Sequence, residues 1–329
     1  MTSITRPAYW SAYLTTMRPY LMPVSGMAGL AGMSLTSGLS PLRSAAAILV
    51  FLASYGLGQA LTDCFQRDTD GLSAPERPLV QGRISPRQVL VVSAAGFVVC
   101  LVVLARLNPW TVPVAAAGVL GLVIYSPLKR IWWAGPGTNS LVVALLPILG
   151  WLTRADHDLH AVVREPALIA AAVAAFFAYN NFVLVGYLKD VSADRQTGYV
   201  TLPVRFGWRA TAWASHGHAL IALAAAAAAI RLAAARAAPV PAPAPGQAIA
   251  AWVILAAAAL LSVRTQAWLH RIHREDQAHG PIVNTVRVFL LLMAAIGAAG
   301  APVVWSAVAA GMYLLFEILV RRRPDKRQV

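Results

Sequence analysis

Acidic residues are scarce in this chain. Only 13 of its 329 residues are Asp or Glu, charged residues of all kinds make up 12%, and 58% of the residues are hydrophobic. A composition so poor in charge lies outside the range of soluble globular domains. It predicts an all-α, polytopic membrane protein that forms one integral-membrane domain over residues 1–329.

Cysteine is nearly absent as well. Cys64 and Cys100 are the two cysteines of the chain, and they lack the clustered spacing of a metal or redox motif. The cysteines are therefore uninformative about the function.

Apolar runs long enough to cross a hydrocarbon core of about 30 Å predict nine or ten transmembrane helices, because the last two runs can also form one broken element. We expect a core at about 15–300, a last helix at about 302–320 and a basic tail at 321–329. The runs cover residues 20–38, 42–62, 87–105, 109–126, 138–153, 166–187, 211–232, 247–264, 282–299 and 302–320.

The net charge of +14 is distributed unevenly along the chain. With ten spans and a cytoplasmic N-terminus, 21 of the 27 Lys and Arg residues fall in the inner segments. This bias follows the positive-inside rule, so the basic residues indicate orientation in a bilayer and not binding to nucleic acid. It favours ten spans over nine and predicts a bacterial inner (plasma) membrane protein with its site facing the cytoplasm.

Six of the 13 acidic residues lie in two short stretches that interrupt the apolar sequence. Carboxylates are expensive next to hydrocarbon and are normally retained there for a cation or a reaction. We therefore expect the functional site at these two loops. Their acidic residues are Asp63, Asp68, Asp70 and Glu76 in the first loop and Asp190 and Asp194 in the second.

The spacing of four aspartates predicts how they meet. Asp190 and Asp194 are four residues apart and share one face of a helix end. Asp63 and Asp70, seven apart, share a face if their helix extends through both. If the two faces meet, four catalytic carboxylates converge, and such oxygens suit Mg²⁺ completed by substrate phosphates.

The two loops also resemble each other. Each follows an even-numbered predicted helix and passes through a basic, Pro-containing stretch into another helix. This weak repeat predicts two four-helix halves around a central cavity, with the site between them.

Basic residues surround the same loops. Arg and Lys bind phosphate oxygens, so the set predicts a diphosphate joined to the protein through Mg²⁺. At the mouth of an apolar bundle, such a site implies a substrate with an apolar tail, as in an isoprenyl diphosphate. The basic residues are Arg67, Arg77, Lys129, Lys189 and Arg195.

Several motifs together resemble the UbiA superfamily of intramembrane prenyltransferases over about residues 15–300. The resemblance implies an all-helical bundle, usually of nine helices, that uses Mg²⁺ to transfer an isoprenyl group from its diphosphate to an acceptor. It also adds Arg18 to the predicted diphosphate-binding residues. The motifs are Arg18-Pro19, Arg67-Asp68-Thr69-Asp70, Pro75-Glu76-Arg77-Pro78-Leu79, Gly82-Arg83-Ile84-Ser85, Tyr125-Ser126-Pro127-Leu128-Lys129-Arg130, Lys189-Asp190, Asp194-Arg195, Gly198 and Thr201-Leu202-Pro203.

The first loop departs from the family pattern. Thr62 and Gln66 stand where the family usually has Asn and Asp, and only Asp70 matches the third position. Gln66 still offers an amide oxygen, so we count it with the four aspartates (Asp63, Asp70, Asp190 and Asp194) as a predicted metal ligand. Fewer anionic ligands weaken metal affinity, so either the basic residues compensate or the reaction differs.

The reaction implied by the resemblance ionises an allylic C–O bond. Mg²⁺ and basic residues would stabilise the leaving diphosphate, while the allylic cation needs a dry cavity with electron-rich walls. The predicted cavity residues are Tyr125, Asn139, Phe176, Tyr179 and Tyr187.

We therefore predict a membrane prenyltransferase with a small-molecule acceptor of aromatic or quinone-precursor type. A UbiA-type terpene cyclase, which would trap the cation without an acceptor, is the alternative within the same chemistry. A transporter is the alternative from another class, favoured by the repeat and by the acids at the membrane edge. Tetrapyrroles, glycerol phosphates and other rings remain open as acceptors, as does the donor chain length.

Overall fold

Helices account for the regular structure of the residues that the computed structural model describes, which are 3–36, 38–235, 245–300 and 303–322. The predicted all-α bundle is confirmed, and the one β contact within these ranges is an isolated bridge between Ile131 and Val200. Three short 3₁₀ turns occur at Pro19–Leu21, Tyr187–Lys189 and Glu275–Gln277. The helices are α1 Pro7–Thr16, α2 Met22–Ser34, α3 Pro41–Asp63, α4 Arg67–Ser73, α5 Pro86–Leu107, α6 Thr111–Leu128, α7 Ala134–Leu152, α8 Leu159–Val162, α9 Pro166–Gly186, α10 Val191–Gln196, α11 Leu202–Ala234, α12 Pro245–Leu269, α13 His279–Gly300 and α14 Val303–Arg321.

Nine helices in the described ranges are long and apolar enough to cross a membrane, namely α3, α5, α6, α7, α9, α11, α12, α13 and α14. The first predicted span, 20–38, is not among them, because its helical part α2 has 13 residues and is about 20 Å long at 1.5 Å per residue. The last two predicted spans are separate helices, so the merging considered for them does not occur. Residues 323–329 of the predicted basic tail lie outside the described residues.

The helix ends follow the local sequence. Proline stands in the first turn of α3, α5, α9 and α11, where its missing N–H costs nothing. Ser85 caps α5 through a reciprocal pair of bonds with Gln88, and such a capping box satisfies two otherwise unpaired N–H groups. These helices therefore begin at prolines and at a capping serine, which are residues that favour a helix N-terminus.

Burial separates inner from outer helices. Helices α7, α9 and α13 are the most buried of the nine, whereas most residues of α5, α6, α12 and α14 are exposed or half-buried. Exposed side chains such as Val98 on α5 and Leu120 on α6 are compatible with lipid as the surrounding solvent. The inner helices form the core that supports the site.

Glycines bring α2 and α7 into backbone contact. A side chain at Gly32 would overlap the carbonyl of Pro147, and one at Gly150 would overlap the carbonyl of Gly29. Neither overlap can be relieved by a side-chain rotation, since the obstructing atoms are backbone.

We expect Gly150→Ala to lower the thermal midpoint of the purified protein. Overpacking costs typically about 1–3 kcal/mol, and a backbone clash leaves little room for relaxation. Gly137→Ala is the matched control, because Gly137 lies in the same helix with no atom within 4 Å of an added Cβ and gains helix propensity instead. Tryptophan fluorescence measures the thermal midpoints. Equal midpoints for the two variants would contradict the proposed packing.

Candidate active site

The first acidic loop joins α3 to α4. Helix α3 ends at Asp63 and α4 begins at Arg67, so no single helix extends through Asp63 and Asp70, which was the condition for their sharing one face. The two aspartates nevertheless converge, because the break folds α4 back towards the end of α3. Asp68 and Asp70 lie in the first turn of α4, where negative charge interacts favourably with the helix dipole.

Two arginines neutralise the buried carboxylates of this loop. Arg18 donates to both oxygens of Asp63, at 2.8 and 3.1 Å. The Arg77 guanidinium forms a short ion pair with Asp70 and lies 3.8 Å from Asp63. Burial raises the pKa of Asp70, while Arg77 acts against that rise. The two ion pairs therefore keep charges in a region where unpaired ones would be costly.

Arg18 reaches Asp63 from an unusual backbone position. Its φ of 50° makes it the one non-glycine residue with a positive φ among those the structure describes. Such a conformation is disfavoured for a side chain with a Cβ, and strain of this kind persists where surrounding contacts enforce it. The left-handed conformation of Arg18, between α1 and α2, thus directs its guanidinium towards Asp63 of the first loop.

The second loop is built around α10. Asp190 precedes this helix and Asp194 lies within it, with the Asp194 N–H donating to the Asp190 carbonyl. Asp194 is 0% exposed, and its Oδ2 accepts a hydrogen bond of 3.1 Å from Thr201 Oγ1. Its Oδ1 is buried without a hydrogen-bond partner. A buried carboxylate oxygen without a hydrogen bond suits a cation at closer range.

Lys129 connects the two loops. It follows the last residue of α6, it is 5% exposed, and its Nζ donates a 3.2 Å hydrogen bond to Gln66 Oε1. The same Nζ lies 3.6 Å from Asp194 Oδ1 and 5.0 Å from the ring centre of Tyr199. Burial alone would lower the pKa of Lys129, but Asp194 holds it above its usual value.

The charge state of Asp194 reflects the same pair. Burial raises the pKa of Asp194 to about 6, although the Lys129 ammonium and the Thr201 hydroxyl favour the ionised form. Because burial disfavours the ionised form of Asp194, an added cation would stabilise its negative charge.

Contacts between the loops hold this end of the bundle together. The Val200 N–H donates to the Arg130 carbonyl at 3.2 Å, next to the bridge between Ile131 and Val200. The Thr69 and Thr197 hydroxyls lie 3.1 Å apart. The two loops therefore contact each other directly.

An apolar cavity of about 640 Å³ lies among α3, α5, α6 and α7, with Tyr179 of α9 in its wall. Two predicted residues, Asn139 and Tyr179, line it, as does Tyr55, whose hydroxyl lies 3.4 Å from that of Tyr179. A cavity of this size holds an elongated apolar ligand, given that pockets for small molecules measure about 300–1,000 Å³. Exposed residues of α5 and α6, including Val98 and Leu120, also contribute to its wall, so the cavity reaches the outer surface of the bundle.

Some predicted residues lie apart from this arrangement. Arg67 and Arg195 are exposed, and Arg67 donates to the carbonyl of Cys64. Phe176 packs edge-to-face on Phe177 and is outside the cavity wall. The roles proposed for these three residues remain predictions.

The other predicted residues lie close to the loops. Tyr125 and Tyr187 are buried, and the Tyr187 ring centre is 5.6 Å from Lys129 Nζ. Lys189 is half-buried at the end of the turn that precedes Asp190. These residues connect the charged surface to the tyrosines of the cavity.

Sequence reasoning missed three residues at the site. Tyr55 is one of several aromatic residues in apolar helices, and its sequence context gives no signal. Tyr199, whose hydroxyl donates to Asp68 at 3.2 Å, follows the second loop directly. Thr201 belongs to the Thr201-Leu202-Pro203 motif, which was available as a signal for its bond to Asp194.

The fold and the site together define a polytopic membrane protein with a charged surface at one end of its helices and an apolar cavity among them. A model of the UbiA prenyltransferase family matches residues 22–281. This match covers most of the chain, which therefore belongs to the UbiA prenyltransferase family and is an integral-membrane prenyltransferase.

Relatives support the same assignment. The digeranylgeranylglyceryl phosphate synthase of Natronomonas pharaonis is 33% identical over 211 residues, which are 63% of this chain and 73% of the relative. The bacteriochlorophyll synthase 33 kDa chain of Cereibacter sphaeroides is 32% identical over 160 residues, which are 46% of this chain and 50% of the relative.

Solved structures show the same fold. A UbiA homolog from Aeropyrum pernix K1 superimposes with a TM-score of 0.67 at 18% identity, covering 85% of this chain and 96% of the other. A UbiA homolog from Archaeoglobus fulgidus bound to GPP and Mg²⁺ gives a TM-score of 0.62 at 18% identity, covering 87% and 99%.

Proposed function

We propose that this protein transfers an isoprenyl group from an isoprenyl diphosphate to a small-molecule acceptor within the membrane, with Mg²⁺ as cofactor and with its site on the cytoplasmic side. The observation that carries the proposal is the joining of two environments. The buried set of aspartates and basic residues includes Arg18, which interacts electrostatically with Tyr55, and Tyr55 and Tyr179 line the apolar cavity. A diphosphate head and an apolar tail match these two environments in charge and polarity.

The second loop fits a divalent ion better than the first. Asp194 has a buried oxygen without a hydrogen bond, and Asp190 is four residues away at the start of the same short helix. Mg²⁺ is typically held by one or two carboxylates together with substrate phosphates, so Asp190 and Asp194 would hold it. When bound, it would neutralise negative charge that develops on the leaving diphosphate.

Basic residues of the chain would bind the diphosphate directly. Arg18, Arg77 and Lys129 are the candidates, because they are largely buried and lie beside the acidic loops. Their charges are already oriented before the bond breaks, and preorganised charge of this kind is a large contribution to catalysis.

In the proposed reaction, the bond between C1 of the prenyl group and the bridging oxygen breaks, and its electron pair remains on the diphosphate. The allylic carbon then lies next to Tyr55 and Tyr179, whose ring faces attract positive charge. A nucleophilic atom of the acceptor forms the new bond to C1, and the released diphosphate takes the proton that the acceptor loses. The apolar cavity wall excludes water, which would otherwise capture the cation.

Names of relatives extend the range of acceptors to test. The relatives described above are called synthases of digeranylgeranylglyceryl phosphate and of bacteriochlorophyll. A panel should therefore include glycerol phosphate lipids and tetrapyrrole pigments beside the aromatic quinone precursors that we predict.

We expect purified protein in lipid nanodiscs to form a prenylated product with one member of this panel when an allylic diphosphate and Mg²⁺ are present. EDTA should stop the reaction, since the diphosphate would lose its divalent counter-charge, and excess Mg²⁺ should restore it. Mass spectrometry of the extracted lipids measures the product.

Two other outcomes would contradict this proposal. Diphosphate release with a cyclised hydrocarbon and no joined acceptor would indicate a cyclase. Solute flux in liposomes without diphosphate release would indicate a transporter.

A further inference from the structure

The two buried aspartates of the first loop offer little to a metal ion, because both already have arginine partners. Asp63 is bound by Arg18 at 2.8 Å, and Asp70 is paired with Arg77. All four side chains are buried or largely buried. A divalent ion at these carboxylates would have to displace a guanidinium and leave it unpaired in a buried place, which is strongly unfavourable.

Gln66 is a second reason why the first loop offers little to a metal ion. Its side chain is neutral, and its Oε1 accepts a hydrogen bond from Lys129 Nζ. The amide oxygen is therefore engaged by a cation of the chain. Thr62, the other altered position, donates its hydroxyl hydrogen to the carbonyl of Gly58 within α3 and does not point to the loop partners.

Lys129 stands where the two loops meet. Its ammonium lies between Gln66 of the first loop and Asp194 of the second, at 3.2 and 3.6 Å. An ammonium held in this way is a fixed positive charge that faces both loops. It also has three hydrogen-bond donors, which can turn to phosphate oxygens.

The second loop retains the features of a metal site. Asp194 Oδ1 is fully buried and lacks a hydrogen bond, with the Lys129 ammonium 3.6 Å away. In the first loop the two buried aspartates have arginine partners, and Glu76 Oε1 is the buried oxygen without a hydrogen bond. Within the described residues, no three acidic, His or Cys side chains are arranged around a single point. Asp190 and Asp194 would therefore hold the ion as a pair, and phosphate oxygens would complete the coordination.

Charges at the site are balanced before any substrate arrives. Four aspartates interact with four basic residues: Asp63 with Arg18, Asp70 with Arg77, Asp194 with Lys129, and Asp190 with Lys189. An aspartate at position 66 would add a fifth negative charge and a free anionic ligand. The glutamine removes both and so removes the electrostatic reason for a second ion.

We propose that this protein works with a single divalent ion, held by Asp190 and Asp194, and that Lys129, fixed by Gln66, takes the place of a second ion against the diphosphate. The inference rests on the proposed function for the identity of the substrate. According to this inference, the altered first loop reduces the number of divalent ions that the protein binds in the presence of a diphosphate.

The test counts ions directly. Mn²⁺ replaces Mg²⁺, since both prefer carboxylate and phosphate oxygens, and electron paramagnetic resonance measures free and bound Mn²⁺ in nanodiscs. The diphosphate is the S-thiolo analogue of geranyl diphosphate, whose C–S bond does not ionise readily. We expect one Mn²⁺ per wild-type chain with the analogue present and two per chain for Gln66→Asp.

Control variants separate charge from position. Gln196→Asp adds the same charge at an exposed residue of α10 and should keep one ion. Asp194→Asn should bind none, because it removes the open carboxylate oxygen. Size-exclusion profiles identify any variant that does not fold, in which case the wild-type count decides alone.

A wild-type count of any number other than one would overturn the inference. One ion in both wild type and Gln66→Asp would overturn the role given to Gln66 and Lys129. A wild-type protein that binds one ion with the analogue yet makes no prenylated product with any acceptor would contradict the proposed function and leave the ion count standing. The two failures are therefore distinguishable.

Discussion

Asp194→Asn should reduce prenyl transfer by about 10³-fold or more while leaving the protein folded. The side chain is 0% exposed, so its amide isostere preserves packing, and the amide oxygen can still accept the bond from Thr201. What is lost is the negative charge beside Lys129 and the open oxygen proposed for the metal. Removing one group that stabilises transition-state charge costs about 10²–10³ in rate, and here a metal ligand disappears as well.

Product formation from a labelled allylic diphosphate measures this loss, and thermal unfolding checks the fold. Asp156→Asn is the control, since Asp156 is exposed and pairs with neighbouring Arg154. A turnover of Asp194→Asn within threefold of wild type would refute the role of the second loop.

Arg77→Met should damage stability and activity together. The substitution leaves Asp70 buried without its cation, and an uncompensated buried charge destabilises a protein by about 3–5 kcal/mol. The double variant Arg77→Met/Asp70→Asn removes both charges, so it should recover much of the lost stability. It should not recover activity, because the diphosphate still lacks a cationic partner.

The expected order of thermal midpoints is therefore wild type, then the double variant, then Arg77→Met. With the Asp70→Asn single variant added, the four proteins form a double-mutant cycle that gives the coupling energy between Arg77 and Asp70. A double variant less stable than Arg77→Met would show that Asp70 does not depend on Arg77. Recovery of turnover in the double variant would show that Arg77 only balances charge.

The location of the site was predictable because charge is conspicuous in an apolar chain. Asp63, Asp70, Asp190, Asp194 and Lys129 stood out for that reason, and the structure brings all of them to one end of the bundle. The pairing of Arg18 with Asp63 was not predictable, since 45 residues separate them and the contact depends on a left-handed turn that a sequence pattern does not signal.

Helix boundaries explain the other differences. Periodicity and apolar length predicted the nine long helices, but the break at Pro19–Leu21 made the first predicted span shorter than expected. The break between Asp63 and Arg67 lies in a polar stretch without proline or glycine, so a continuous helix was the natural expectation. Aromatic residues remained ambiguous, because Tyr55 and Phe176 look alike in sequence while only the first faces the cavity.

The cavity wall formed partly by exposed residues of α5 and α6 has a kinetic consequence. A tail that enters from the surrounding lipid is supplied by diffusion in two dimensions, so the relevant concentration is its mole fraction in the bilayer. Diluting the protein and its substrate with inert lipid should then slow turnover even when the amounts per volume of buffer stay the same. Detergent tails would compete for the same space, and rates measured in micelles would fall as the detergent-to-protein ratio rises.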